Sequence, residues 1–152
     1  MHTLLISLLL AAWMPSTPPV HWSFSAQRQA DGSVAVHCDA VLDAGWHIYA
    51  TVLPGNEGPI PTAVRILPST GHGPASAIQE PIPREEYDPN FAMVVRYHDG
   101  SPRFTTTVSP TVPSTSLIVK GEVEYMVCND KTCLPPVIVP FEVTIEAEPA
   151  KP

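Results

Sequence analysis

Two cysteines near the carboxyl end bracket a four-residue turn: the chain reads Tyr125, Met126, Val127, Cys128, Asn129, Asp130, Lys131, Thr132, Cys133, Leu134, Pro135, Pro136. A thiol pair at a hairpin tip can close as a disulfide, exchange electrons with another dithiol, or bind a soft metal ion. Asn-Asp is a turn former, and the flanks 122–127 and 137–145 alternate apolar and polar residues as half-buried strands do. The turn is therefore expected to bring both sulfurs together. A disulfide between them is feasible if the alpha carbons lie roughly 4.4 to 6.8 Å apart.

The third cysteine separates from these two by strand face, because side chains alternate with a period of two. Cys38 shares a face with Val34, Val36, Ala40 and Leu42, which makes it a small buried hydrophobe. In the strand ending at Cys128 the apolar face is Val123, Tyr125 and Val127, so Glu122, Glu124, Met126 and Cys128 fall on the other side, reachable from outside the core.

Three other uses of the cysteines stay open at this level. One is an inter-sheet staple as in antibody domains, but Trp46 follows Cys38 by only eight residues and Tyr125 precedes Cys128 by three instead of two. Another is a purely structural Cys128–Cys133 bond. Loop-closure entropy gives that bond only about 2 kcal/mol, against roughly 4.6 kcal/mol for one joining Cys38 to Cys128. The third is Cu(I) held by Met126, Cys128 and Cys133 with His47 or His98, since thiolate and thioether suit that ion. A zinc pattern is absent, because this Cys-x4-Cys has no second pair.

The elements that must position the hairpin read as strands. Short alternating runs cover 21–29, 33–42, 46–52, 63–67, 93–98, 103–108, 116–128 and 137–146, punctuated by Asp31-Gly32, Asp99-Gly100 and many of the 19 prolines. Eight such runs without a sustained 3.6-residue period predict an all-β, immunoglobulin-like antiparallel sandwich. The longest connection, 68–90, exceeds ordinary loop lengths, and its acidic and aromatic end, Glu85 to Phe91, is a candidate cover over a site.

Composition narrows the class further. A chain of 152 residues with 44% hydrophobic and 15% charged residues suits one globular domain. Fifteen acidic against eight basic residues give a net charge of −7, with no Lys/Arg run to follow a phosphate backbone, so nucleic acid is not an expected partner. The apolar run within residues 1–13 is too short to span a bilayer and reads as a secretory signal, cleaved between positions 12 and 19. Residues 20–147 then form the domain and 148–152 a disordered tail. No later segment is apolar enough to cross a membrane, so the mature chain is expected to work without membrane insertion, in an oxidising compartment.

The segments Gly45-Trp46-His47-Ile48-Tyr49, Leu53-Pro54, Gly58-Pro59-Ile60-Pro61-Thr62, Glu86-Tyr87-Asp88 with Phe91, and the hairpin ending Cys133-Leu134-Pro135-Pro136 together resemble the N-terminal periplasmic domain of the thiol:disulfide interchange protein DsbD, the disulphide bond corrector family. The likeness spans about 21–146. It implies an immunoglobulin-like domain whose Cys128 and Cys133 shuttle two electrons, with no cofactor. A thioredoxin-like domain of a separate membrane electron transporter would be the donor, and periplasmic thioredoxin-fold proteins the acceptors. It further implies a lid corresponding to Glu86 through Phe91, Tyr87 included, and a site-lining aromatic at Tyr49. Two departures stand out: the cysteines are spaced by four residues where the best-known member has five, and the sequence carries no transmembrane or thioredoxin-like domain. Cys128, ending a strand, is expected to be less hindered than Cys133, which precedes Leu-Pro-Pro, and so to be the partner-linked thiol.

Overall fold

The computed structural model describes residues 17–55 and 57–148. The expected signal segment therefore lies almost wholly outside the described residues, as does most of the expected tail.

Ten strands form: β1 (Val20–Arg28), β2 (Val34–Leu42), β3 (His47–Tyr49), β4 (Ala63–Ile66), β5 (Arg84–Asp88), β6 (Met93–His98), β7 (Arg103–Val108), β8 (Leu117–Tyr125), β9 (Val127–Cys128) and β10 (Val137–Ile145). All eight expected runs are present. The expected run 116–128 is divided at Met126, and β5 lies inside the segment read as a long loop. Three antiparallel sheets result, ordered β1-β2-β7, β10-β8-β4 and β5-β6-β3-β9. The fold is an immunoglobulin-like β-sandwich.

Alternation builds the main core. β8 buries Leu117, Val119, Val123 and Tyr125 while turning Ile118, Lys120, Glu122 and Glu124 outward. β10 supplies Phe141, Val143 and Ile145, and β2 with β7 supplies Val34, Val36, Cys38, Phe104 and Val108, all in one apolar cluster. Gly121 sits in β8 because Phe141 occupies the space a side chain would need: a Cβ there would collide with Phe141 Cζ and lie 2.7 Å from the Arg65 carbonyl oxygen.

The segment 68–90 is not a free loop. Its first part runs beside β7, with Gly73 N donating to Ser109 O, Ser76 N to Thr107 O, and Gln79 and Thr105 exchanging both backbone bonds. Pro68, Pro74, Pro81 and Pro83 lack the amide hydrogen that a continuous ladder would require, so the pairing is intermittent and sequence periodicity does not reveal it. The effect is to cover the open edge of β7. Glu80 then anchors the chain to the third sheet. Its carboxylate accepts from Thr51 N at 3.0 Å and Thr51 Oγ1 at 2.7 Å, and contacts His98 Nε2 at 2.9 Å.

The break at Met126 positions the cysteines. β8 pairs with β10 and β4, whereas β9 pairs with β3, in the register His47↔Cys128 and Ile48↔Val127. One face of the third sheet, carrying Ile48 and Val127, contributes to the main core. The opposite face carries Cys128.

Candidate functional site

Cys128 lies on the face opposite the main core, but that face is covered. A second cluster of Tyr49, Val95 and Cys128 is flanked by Leu53, Phe91, Met93, Tyr97, Met126 and Cys133. Cys128 is 0% exposed. Cys133 is only half-buried. The expected order of accessibility is thus reversed: Cys128 is shielded by a second layer that one-dimensional alternation cannot show, and Cys133, on the return arm, is the open sulfur.

The two cysteines are joined by a disulfide with Cα atoms 4.1 Å apart, slightly closer than the expected span because they are direct cross-strand neighbours. The turn between them is built by Asn129. Its Oδ1 accepts from Lys131 N and Thr132 N, both at 2.9 Å, and its own amide donates to Thr132 O at 2.9 Å. Leu134 N donating to Val127 O at 2.9 Å fixes the return arm. Cys38 takes no part: it is free and buried, and desolvation first, then the neighbouring Asp39, pushes its thiol up to about 12.

The β5–β6 hairpin extends the sheet that carries Cys128, with its tip against the cysteine turn, and its register decides which side chains share the sulfurs' face. Arg84↔Tyr97, Glu86↔Val95 and Asp88↔Met93 share one face, while Tyr87↔Val94 and Glu85↔Arg96 share the other. Tyr87, expected in the lid, therefore points away and is 63% exposed. Glu86 is exposed and accepts from Tyr97 Oη at 2.8 Å. Phe91, at the hairpin tip, packs against the cysteine cluster and meets Tyr49 edge-on with centroids 6.0 Å apart. Tyr49, fully buried, is the aromatic floor.

Asp88, which the sequence reading placed in the lid run without a role, is the hairpin's anchor. It is 4% exposed, and its Oδ2 accepts from Tyr49 Oη at 2.5 Å while its Oδ1 accepts from Asn90 N at 2.8 Å. Burial, reinforced by this carboxylate, raises the Tyr49 phenol well above its usual range. Asn90 Nδ2 donates to Asn129 O at 2.9 Å, tying the hairpin tip to the cysteine turn. A loop beneath adds Leu53 and brings Gly58 against Met93. Gly58 has φ 122°, a conformation that strains any residue with a side chain, and its bareness leaves room for Met93 Sδ, which a Cβ would approach to 2.6 Å.

His47 lies beside these groups. Its ring packs on Tyr97 with centroids 4.8 Å apart and edge-on to Tyr49 at 5.3 Å. Its Nε2 is 3.7 Å from Asp88 Oδ2, too far for a hydrogen bond. Burial lowers its proton affinity, with Asp88 pulling the other way. Of the Cu(I) set, Met126 and the cysteines are together, but His98 is engaged with Glu80 and faces Phe104. Among the described residues no group of three or more His, Cys, Asp or Glu is arranged to hold a metal, and no helix is long and apolar enough to cross a membrane.

The family described as "Thiol:disulfide interchange protein DsbD, N-terminal" matches residues 15–144. This chain belongs to that family. No individual curated relative matches it. Among solved structures, the reduced-form N-terminal domain of Neisseria meningitidis DsbD is similar at a TM-score of 0.57 and 16% identity, covering 90% of this chain and 96% of that one. The N-terminal periplasmic domain of ScsB from Proteus mirabilis gives 0.55 and 15%, covering 86% of this chain and 48% of that one. At these identities the likeness establishes the fold, and the family match establishes a DsbD-type thiol-disulfide interchange module.

Proposed function

We propose that this domain carries two electrons between a thioredoxin-like donor and thioredoxin-fold acceptors through Cys128 and Cys133, with Cys133 as the partner-linked sulfur. The observation that carries the assignment is the asymmetry of the pair: Cys128 is fully buried and Cys133 is not. A donor thiolate attacks Cys133 Sγ, the Cys128–Cys133 bond breaks, and Cys128 leaves with the electron pair and takes up a proton. The donor's second thiolate then attacks its own sulfur in the mixed disulfide, leaving Cys133 reduced. Delivery to an acceptor is the reverse sequence. The chemistry needs no cofactor.

The hairpin supports this reading by giving the dithiol a cover. Phe91 and the Asn90–Asn129 contact close over the sulfurs and can be displaced by a docking partner, whereas an uncovered dithiol in an oxidising compartment would react indiscriminately. Periplasmic location is supported by the apolar run within residues 1–13 and by the periplasmic ScsB domain of similar fold. On that reading residues 1–19 are a leader, 20–147 the working domain and 148–152 a tail.

The test is a redox equilibration in dithiol buffers, followed by alkylation and peptide mass mapping of free thiols. A Cys128–Cys133 couple well above about −300 mV marks an exchanging pair. A more reducing couple makes the bond structural and leaves the domain a binding module.

A further inference from the structure

Exchange at a buried sulfur raises a question of protons. Resting on the exchange reading above, Cys128 must lose a proton each time it attacks and regain one each time it leaves, yet its side chain has no exposure to solvent. Cys128 shares an apolar cluster with Tyr49 and Val95, against which Phe91, Met93 and Met126 also pack. Tyr49 is a poor proton carrier, because its hydroxyl is committed to Asp88 and its phenol is pushed well above the usual range by burial.

His47 is placed differently. It is the direct cross-strand partner of Cys128, and such partners project from the same face of a sheet with Cβ atoms roughly 4.5 to 5.5 Å apart. Its Nε2 has no hydrogen-bond partner among the protein's described atoms, with Asp88 Oδ2 3.7 Å away. The imidazole lines a cavity of about 50 Å³ together with Asp88, Asn129 and Asp130, polar and large enough to admit water. We propose that His47 exchanges the proton of Cys128: neutral imidazole takes it as Cys128 attacks, and the resulting imidazolium, facing Asp88, returns it as Cys128 leaves.

The balance is simple for the reduced domain meeting a partner disulfide. Cys133 thiolate attacks one partner sulfur and the other leaves as thiolate. The Cys128 S–H bond then breaks, its proton passing to His47, and the sulfur's electron pair forms the bond to Cys133. The Cys133–partner bond breaks and the partner leaves as its second thiolate. His47 releases the proton through the cavity, so two electrons pass to the partner with no other reactant.

The charges around the ring fit a transient imidazolium. Asp88 and Glu86 face it from β5, Asp130 from the cysteine turn, and Asp99 from the turn after β6, the last engaged by Arg84. Tyr97 and Tyr49 pack on its ring as neutral groups. Desolvation holds the imidazole neutral at rest, as a proton acceptor must be, and the acidic surroundings keep the protonated state within reach.

The experiment is a rapid-quench reaction of the reduced protein with oxidised glutathione, separating by mass the formation of the Cys133–glutathione adduct from its resolution by Cys128. His47→Phe keeps an aromatic against Tyr97 and His47→Gln keeps a polar group, so one of the two is expected to fold even if the other does not. The expected result is a resolution step slowed about tenfold or more in either variant, with adduct formation unchanged. The pH profile of resolution should lose its imidazole inflection in both variants, and Asp88→Asn should move that inflection to lower pH. Unchanged resolution and an unchanged profile in the folded variants would overturn the proposal while leaving the exchange reading intact. A wild-type disulfide that does not form at all from the adduct would overturn both.

Discussion

The bond from Tyr49 to Asp88 is the structural link most open to a quantitative test. Tyr49→Phe removes one oxygen from a fully buried ring, and with it the 2.5 Å donor to a carboxylate that is 4% exposed. Oδ2 would be left facing His47 Nε2 at 3.7 Å, outside hydrogen-bond range. Hydrogen bonds to charged groups contribute about 1.5–3 kcal/mol, and water reaching Asp88 through the small cavity beside His47 would replace only part of this one. A loss of about 2 kcal/mol is expected, which for a urea slope of about 2 kcal/mol/M moves the unfolding midpoint down by about 1 M. The ring and its packing on Phe91 remain, so no cavity term adds to this. Because β5 has β6 as its only ladder neighbour among the described residues, part of the loss should appear as local opening, with faster amide exchange in β5 than in β8. The assay is urea denaturation of oxidised protein, run as a cycle with Asp88→Asn and the double variant. A Tyr49→Phe cost below about 0.5 kcal/mol, or a cycle with no coupling, would refute the idea that this contact anchors the hairpin.

Phe91→Ala should speed oxidation of the reduced domain by a small disulfide reagent several-fold, whereas Tyr87→Ala, on the opposite face of β5, should not; equal rates for all three proteins would remove the lid. Gly121→Ala should destabilise the sandwich by about 1–3 kcal/mol in thermal or urea unfolding, since the new methyl meets both Phe141 and the fixed Arg65 carbonyl. Burial lowers the His47 affinity for protons in the folded state, so the unfolded chain binds more protons below its ordinary pKa of about 6.5. Stability from this group is therefore complete above about pH 6.5 and declines as pH falls from there through the lowered folded value. Urea midpoints at pH 7 and pH 5 should differ less in His47→Phe than in the unaltered chain, and an equal decline would place the titration elsewhere.

The strands and the cysteine turn were legible along the chain because they follow from local rules. Alternation and turn chemistry marked the eight principal strands, because each strand's inward residues must be apolar wherever it borders the core. The Asn129 turn and the spacing of Cys128 and Cys133 announced their pairing, because a turn that short leaves few other positions for the sulfurs. Period two also put Cys38 inside and Cys128 on the other face. What that face meets was decided by tertiary structure alone. β9 leaves the β8 ladder at Met126 and pairs with β3, some 80 residues earlier, while β6 pairs with the other side of β3 and the hairpin tip brings Phe91 against the same face, so Cys128 becomes the buried sulfur and Cys133 the open one. β5 itself escaped notice because Arg84, Glu85, Glu86 and Tyr87 are all exposed, leaving no hydrophobic alternation to read. Its register, set by pairing with β6, is what directs Asp88 inward and Tyr87 outward. A one-residue shift would exchange them, and nothing local to 84–88 forbids it; the buried hydroxyl of Tyr49, reached only in three dimensions, is what favours the register observed.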